Sequence, residues 1–77
     1  MNVTPVASSA LATVAYDNAE RLLELEFRGR AIYRYFDVPA TVHTALLQAP
    51  SKGKYFNQSI RGCFRYALAE SAQAGKA

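Results

Sequence analysis

Two adjoining stretches decide the fold: Arg21-Leu22-Leu23-Glu24-Leu25-Glu26-Phe27-Arg28 and, after Gly29-Arg30-Ala31-Ile32, Tyr33-Arg34-Tyr35-Phe36-Asp37-Val38-Pro39. In the first, Leu23, Leu25 and Phe27 alternate with Glu24, Glu26 and Arg28. A period of two puts one apolar and one charged face on an extended chain, the pattern of a strand with one side buried. Gly29 is expected to supply the positive φ of a hairpin turn, and Ala31 to Phe36 to return as the next strand.

The hairpin admits two registers with opposite consequences. If Arg28 and Gly29 form a two-residue loop, the apolar face of Leu23, Leu25 and Phe27 continues into Ile32, Arg34 and Phe36, and Tyr33 and Tyr35 face outward. A three-residue loop, Arg28-Gly29-Arg30, instead aligns Tyr33 with Leu25 and Arg34 with Glu24. The second register is favoured because it keeps an arginine out of the core and sets opposite charges side by side. The position of Gly29 argues for the first, since a three-residue hairpin prefers glycine at its third place.

Outward from this hairpin, Leu11 to Tyr16, with β-branched Thr13 and Val14, predicts a preceding strand that ends in an Asp17-Asn18 turn. Val38-Pro39 turns the chain towards a helix, because proline presets φ and lacks only an amide that a first turn leaves unpaired. Val42, Ala45, Leu46 and Ala49 form its apolar stripe, and Pro50 ends it. Ser51 is a suitable N-cap for a second helix to Arg61, with Phe56 and Ile60 four apart and Gly62 as its stop. Gly53 within that helix costs about 1 kcal/mol relative to alanine. Phe64, Tyr66 and Leu68 alternate with Arg65, enough for a short further strand. The expected fold is α+β: a three-stranded antiparallel meander, two short helices and an optional short fourth strand. Residues 10–68 form the single domain, between a flexible arm over residues 1–9 and a flexible tail over residues 69–77. The predicted core is Val14, Leu23, Leu25, Phe27, Tyr33, Tyr35, Val42, Leu46, Phe56 and Ile60.

At 77 residues the chain suits one domain with little material for a deep cleft. One cysteine and one histidine cannot make an internal disulfide or supply the three or four protein ligands of a zinc site, so no metal and no cofactor are expected. The first residues lack the pattern of a signal peptide, and no apolar run nears the roughly 18 residues of a membrane span, which points to the cytoplasm and away from membranes.

The net charge of +3 is unevenly spread. Residues 1–27 carry −3 and residues 28–66 carry +6. A basic half of this kind suits a polyanion. The candidate phosphate contacts are Arg28, Arg30, Lys52, Lys54, Arg61 and Arg65, with Gly53 in the turn between the lysines. A capped helix start at Ser51 adds free amides to those lysines, although a surface turn with solvated lysines accounts for the same residues. Tyr33 and Tyr35 lie about 6.6 to 6.8 Å apart on one strand face, where they can stack with bases or close the core.

The chain resembles the KTSC domain, named for its occurrence at the C-terminus of some lysyl-tRNA synthetases and also found alone in bacteria. The resemblance runs from about Ser8 to Tyr66. It rests on Tyr16-Asp17, the strand ending at Phe27, the motif Tyr33-Arg34-Tyr35-Phe36-Asp37-Val38-Pro39, then Ser51-Lys52-Gly53-Lys54-Tyr55-Phe56-Asn57 and Ile60-Arg61. It implies structural roles for Tyr33, Arg34, Tyr35, Phe36 and Pro39, and RNA binding has been suggested for the family. Where the family tends to carry a further basic, aromatic segment, this chain has Cys63-Phe64-Arg65-Tyr66 and an alanine-rich tail. The chain is too short to hold a synthetase catalytic domain.

The expectation is therefore a small non-enzymatic binding domain, with RNA preferred as partner. The alternative is a protein-interaction module meeting its partner through exposed aromatics such as Tyr55 and Phe64. A catalytic His43–Cys63 pair is the least favoured reading: His43 is expected at the surface, Cys63 in an apolar setting, and Glu24 and Glu26 solvated rather than paired for acid–base work.

Overall fold

The computed structural model describes residues 2–70. In chain order it contains β1 (Asn2–Pro5), β2 (Leu11–Asp17), β3 (Leu22–Phe27), β4 (Ile32–Tyr35), α1 (Ala40–Gln48), α2 (Lys52–Tyr55) running on as a π-helical turn over Phe56–Ile60, and β5 (Tyr66–Glu70). The strands form one sheet in the order β1-β2-β3-β4-β5, every neighbouring pair antiparallel.

The fold class is α+β, but the sheet has five strands where three and an optional fourth were expected. Asn2–Pro5, assigned to a flexible arm, pairs with β2 from Asn2 opposite Tyr16 to Pro5 opposite Thr13. This strand is held by backbone pairing at a sheet edge, where proline is tolerated, and its Val3 is exposed. Its half-buried position is the polar Thr4 while Val3 and Pro5 are exposed, so the strand shows no apolar alternation to read. At the other edge, Ala69 and Glu70 belong to β5 and not to a tail; residues 71–77 lie outside the described residues.

The central hairpin takes the three-residue loop. Leu23 faces Tyr35, Glu24 faces Arg34 and Leu25 faces Tyr33, while the Phe27 amide donates to the Ala31 carbonyl at 2.9 Å. Arg34 Nε lies 2.8 Å from Glu24 Oε2. The residue with positive φ is not Gly29 but Arg30, at 70°. The loop therefore obeys the rule that its third residue is left-handed, and does so with an arginine. Charge placement outweighed the glycine signal because a misplaced buried ion costs several kcal/mol, against about 1 to 2 kcal/mol for one left-handed non-glycine residue.

One face of the sheet is covered by the helices. Leu11, Val14, Tyr16, Leu23, Leu25 and Tyr35 pack there with Val38, Leu46 and Ile60, while Phe27, Tyr33, Val42 and Phe56 are half-buried around them. Each fully buried aliphatic side chain contributes about 1.5 to 3 kcal/mol. Leu11, Tyr16 and Val38 were absent from the predicted core. Leu11 pairs with Phe27 but Thr13 with Glu26, so Ala12 is the extra residue of a bulge. The bulge turns Leu11 and Val14, three apart, onto the same face, and this breaks the period-two pattern.

Pro39 is the N-cap of α1, with φ −66° and ψ 151°, and Ala49, which precedes Pro50, is extended as pre-proline residues are. Ser51 caps α2, its hydroxyl accepting from the Lys54 amide at 3.3 Å. Gly53 has a packing role beyond its propensity cost: a Cβ there would lie 3.1 Å from the Ala10 Cβ, so glycine lets α2 approach the start of β2. The predicted second helix is continuous to Ile60 but widens at Phe56, and the Arg61 amide donates to the Phe56 carbonyl at 2.8 Å, five residues back. Gly62, with φ 78°, ends it.

Candidate functional site

The sheet and the π-helical turn enclose a groove of about 430 Å³ lined by Phe27, Tyr33, Tyr35, Phe56, Arg61, Gly62 and Tyr66. The hairpin register sends Tyr33 and Tyr35 to the helix-bearing face, and β5 sets Tyr66 opposite Tyr35 and Leu68 opposite Tyr33. Phe56 enters from the π turn. Ring centroids lie 5.2 Å apart for Phe27–Phe56, 5.8 Å for Phe27–Tyr33, 5.8 Å for Tyr35–Phe56 and 5.7 Å for the stacked pair Tyr35–Tyr66. These are the separations of offset and edge-to-face aromatic pairs. Tyr66 is 61% exposed, so its ring forms an open wall, whereas Tyr35 is buried at the floor.

Among the described residues, Arg61 is the one charged residue of the lining and no carboxylate is part of it. Burial, followed by the neighbouring Tyr33 and Tyr66 phenols, pushes the Tyr35 hydroxyl up to about 12 against the opposing pull of Arg61. Tyr35 therefore stays a neutral hydrogen-bond donor at physiological pH. The groove presents apolar ring faces, phenol hydroxyls and a guanidinium, a set that fits a planar, acceptor-bearing ligand.

The predicted cations fall into three places. Arg28 and Arg30 sit in the β3–β4 loop; the Arg28 Nε donates to the Ser8 carbonyl at 3.0 Å and its amide to the Ala10 carbonyl at 3.0 Å. Because Gly53 rests on Ala10, Lys52 and Lys54 share this end of the sheet with Arg28. Lys52 Nζ donates to the Ala49 carbonyl at 3.1 Å, satisfying the end of α1, while Lys54 is exposed. Arg61 stands apart at the groove. Arg65 is at the far end of β4, 3.2 Å from Asp37 Oδ2 and with its guanidinium 5.4 Å above the Phe36 ring.

Several expectations about single residues are corrected. His43 is half-buried, its ring stacked on Tyr16 at 4.7 Å, and burial lowers its pKa. Cys63 is exposed instead of lying in an apolar setting, and among the described residues no hydrogen bond joins it to His43. Glu24 pairs with Arg34 as the favoured register requires, and Glu26 accepts from the Thr13 hydroxyl at 3.2 Å. Tyr55 and Phe64 pack against the core, so the exposed large apolar residues of this region are Tyr66 and Leu68. Phe27, Phe56 and Tyr66 were not anticipated as a site. The alternation of Phe64, Tyr66 and Leu68 was the available signal, but pairing β5 with β4 was needed to set Tyr66 beside Tyr35.

The structure defines a small α+β domain with a five-stranded antiparallel sheet, helices on one face and an aromatic groove. The chain belongs to the KTSC domain family, whose model matches residues 7–66. A solved KTSC domain protein from Yersinia pestis is similar, with TM-score 0.87 and 35% identity over 90% of this chain and 97% of that one. A protein of Tsukamurella paurometabola is 44% identical over 61 residues, covering 79% of this chain and 91% of its own length. A lysine–tRNA ligase of Nostoc is 45% identical over 58 residues, covering 75% of this chain and 10% of the ligase. Among the described residues, no helix is long and apolar enough to cross a membrane, and no three His, Cys, Asp or Glu residues are grouped to hold a metal.

Proposed function

We propose that this protein is a non-enzymatic, cytoplasmic binding domain for single-stranded RNA, holding an unstacked base in the aromatic groove. The observation that carries the reading is the conjunction of an exposed Tyr66 ring with Tyr33, Phe27 and Arg61 around one groove whose described lining residues include no carboxylate. Single-stranded nucleic acids bind by stacking bases on aromatic side chains beside cations that take the phosphates. Arg28, Arg30, Lys52 and Lys54 supply those cations at one end of the sheet. Arg65 contributes less because Asp37 and Phe36 already engage it. The occurrence of a matching segment within lysine–tRNA ligases supports RNA over other polyanions.

The test is fluorescence anisotropy with a short single-stranded RNA at two salt concentrations. Four phosphate contacts give a log–log salt slope of about −2.8, hence about a 50-fold loss of affinity between about 50 and about 200 mM salt. Tyr66→Ala should weaken binding by about 1 to 3 kcal/mol through lost stacking. Absence of binding at the lower salt rejects the reading.

A second reading, a protein-interaction module, is favoured by one observation: the edge strand β5 exposes Tyr66 and Leu68. An edge strand can add a strand from a partner. A specific protein complex that survives nuclease and high salt and is lost on Leu68→Lys would support it.

A further inference from the structure

We infer that the groove reads guanine, with the Arg61 guanidinium donating to two adjacent acceptors on the base edge. This deepens the RNA-binding reading and rests on it.

Among its described residues the lining has one fixed charge, and it is a pure donor. Arginine offers five N–H groups in a planar fork and no acceptor, so it selects a ligand edge with two neighbouring acceptors. Guanine presents that edge through O6 and N7. Adenine sets an amino donor beside N7, cytosine presents an amino donor and uracil a single carbonyl on the corresponding edge. Among the described residues of the lining there is no carboxylate, so none of them offers a charged acceptor to the amino group of adenine or cytosine.

Arg61 is also placed to act. Its backbone is held by the π-type hydrogen bond from its amide to the Phe56 carbonyl at 2.8 Å, and Gly62, with φ 78°, turns the chain directly after it. The π turn thus sets the root of the side chain at the groove. The guanidinium is lightly engaged: Nη1 lies 3.5 Å from Asn57 Oδ1, at the outer limit of a hydrogen bond. Phe27, Tyr33 and Tyr66 offer ring faces to any base and do not discriminate. Arg61 is therefore the specificity-determining residue of the groove.

The experiment uses the full chain and uridine oligonucleotides that each carry one central guanosine, adenosine, cytidine or 7-deazaguanosine, compared by anisotropy at one salt concentration. The guanosine oligonucleotide should bind about tenfold or more tightly than the adenosine and cytidine ones, as expected for one bidentate contact. The 7-deaza analogue, which lacks the N7 acceptor, should lose most of that advantage. Arg61→Lys keeps the charge but not the fork, so the ratio of guanosine to adenosine affinity should fall towards one whatever the overall affinity of the variant. Arg61 is exposed, and an unchanged circular dichroism melt establishes that the variant folds. Equal affinities for all four oligonucleotides overturn the guanine inference and leave RNA binding standing, as does a preference that survives Arg61→Lys. Absence of binding to every oligonucleotide at low salt rejects both.

Discussion

The Tyr16 hydroxyl donates to the Val38 carbonyl at 2.5 Å in the buried interior. This bond ties β2 to the segment joining β4 and α1, across 22 residues of chain, and the outer side of the same ring carries the stacked imidazole of His43. A strand, a connecting segment and a helix thus meet on one tyrosine.

Tyr16→Phe retains the ring and removes the donor, leaving the Val38 carbonyl unpaired in a buried setting. The expected loss is about 1 to 2 kcal/mol, read as a lower urea midpoint with an unchanged slope. An unchanged midpoint would show that the bond adds nothing net.

Burial lowers the pKa of His43 below its ordinary 6.5. The unfolded chain then binds the proton more readily than the folded one, so this residue withdraws stability as pH falls below 6.5 and has no effect well above it. His43→Phe, which keeps a ring for stacking, should flatten the melting temperature between pH 7 and pH values on the order of 5. A variant with the same acid dependence as the wild type would place its origin elsewhere.

Tyr35 gives the opposite limb. With its phenol pushed from 10 to about 12 by burial, the unfolded chain releases that proton first, so the contribution is complete below pH 10 and is lost as pH rises from 10 through about 12. Ultraviolet titration should show a late phenol transition near 12 that disappears in Tyr35→Phe. A wild-type chain with no phenol ionising that late would contradict the closed floor of the groove.

Arg30 occupies a left-handed position in the hairpin loop. Arg30→Gly should raise stability by about 0.5 to 1 kcal/mol, because relief of backbone strain exceeds the added freedom of the unfolded chain. Chemical denaturation measures the gain. The same substitution should reduce the salt slope of RNA binding by about 0.7, one phosphate contact on a single strand.

Much of the fold was legible because neighbouring residues encode it. The alternation of Leu23, Leu25 and Phe27 identified β3, and Val38-Pro39 and Pro50 bracketed α1. The charges of Glu24 and Arg34 selected the hairpin register, and with it the inward face of Tyr33 and Tyr35. The turn chemistry misled at Gly29, since the left-handed residue is its neighbour. Leu11 was missed because a one-residue bulge changes strand parity without a local signature, and β1 because its half-buried position is the polar Thr4 while the apolar Val3 is exposed, the reverse of the usual pattern.

The candidate site divides along the same line. Sequence alone determined that the second half of the chain is basic, that Ser51 caps a helix, and that Tyr33 and Tyr35 share a strand face; charge, capping and strand period are properties of residues close in the chain. Tertiary structure alone decided that Tyr66 stands beside Tyr35, that Phe27 and Phe56 meet at 5.2 Å, and that Arg61 lines the groove they form. Those residues come from β3, β4, the π turn and β5, and only the order and register of the sheet bring groups so distant in sequence onto one surface.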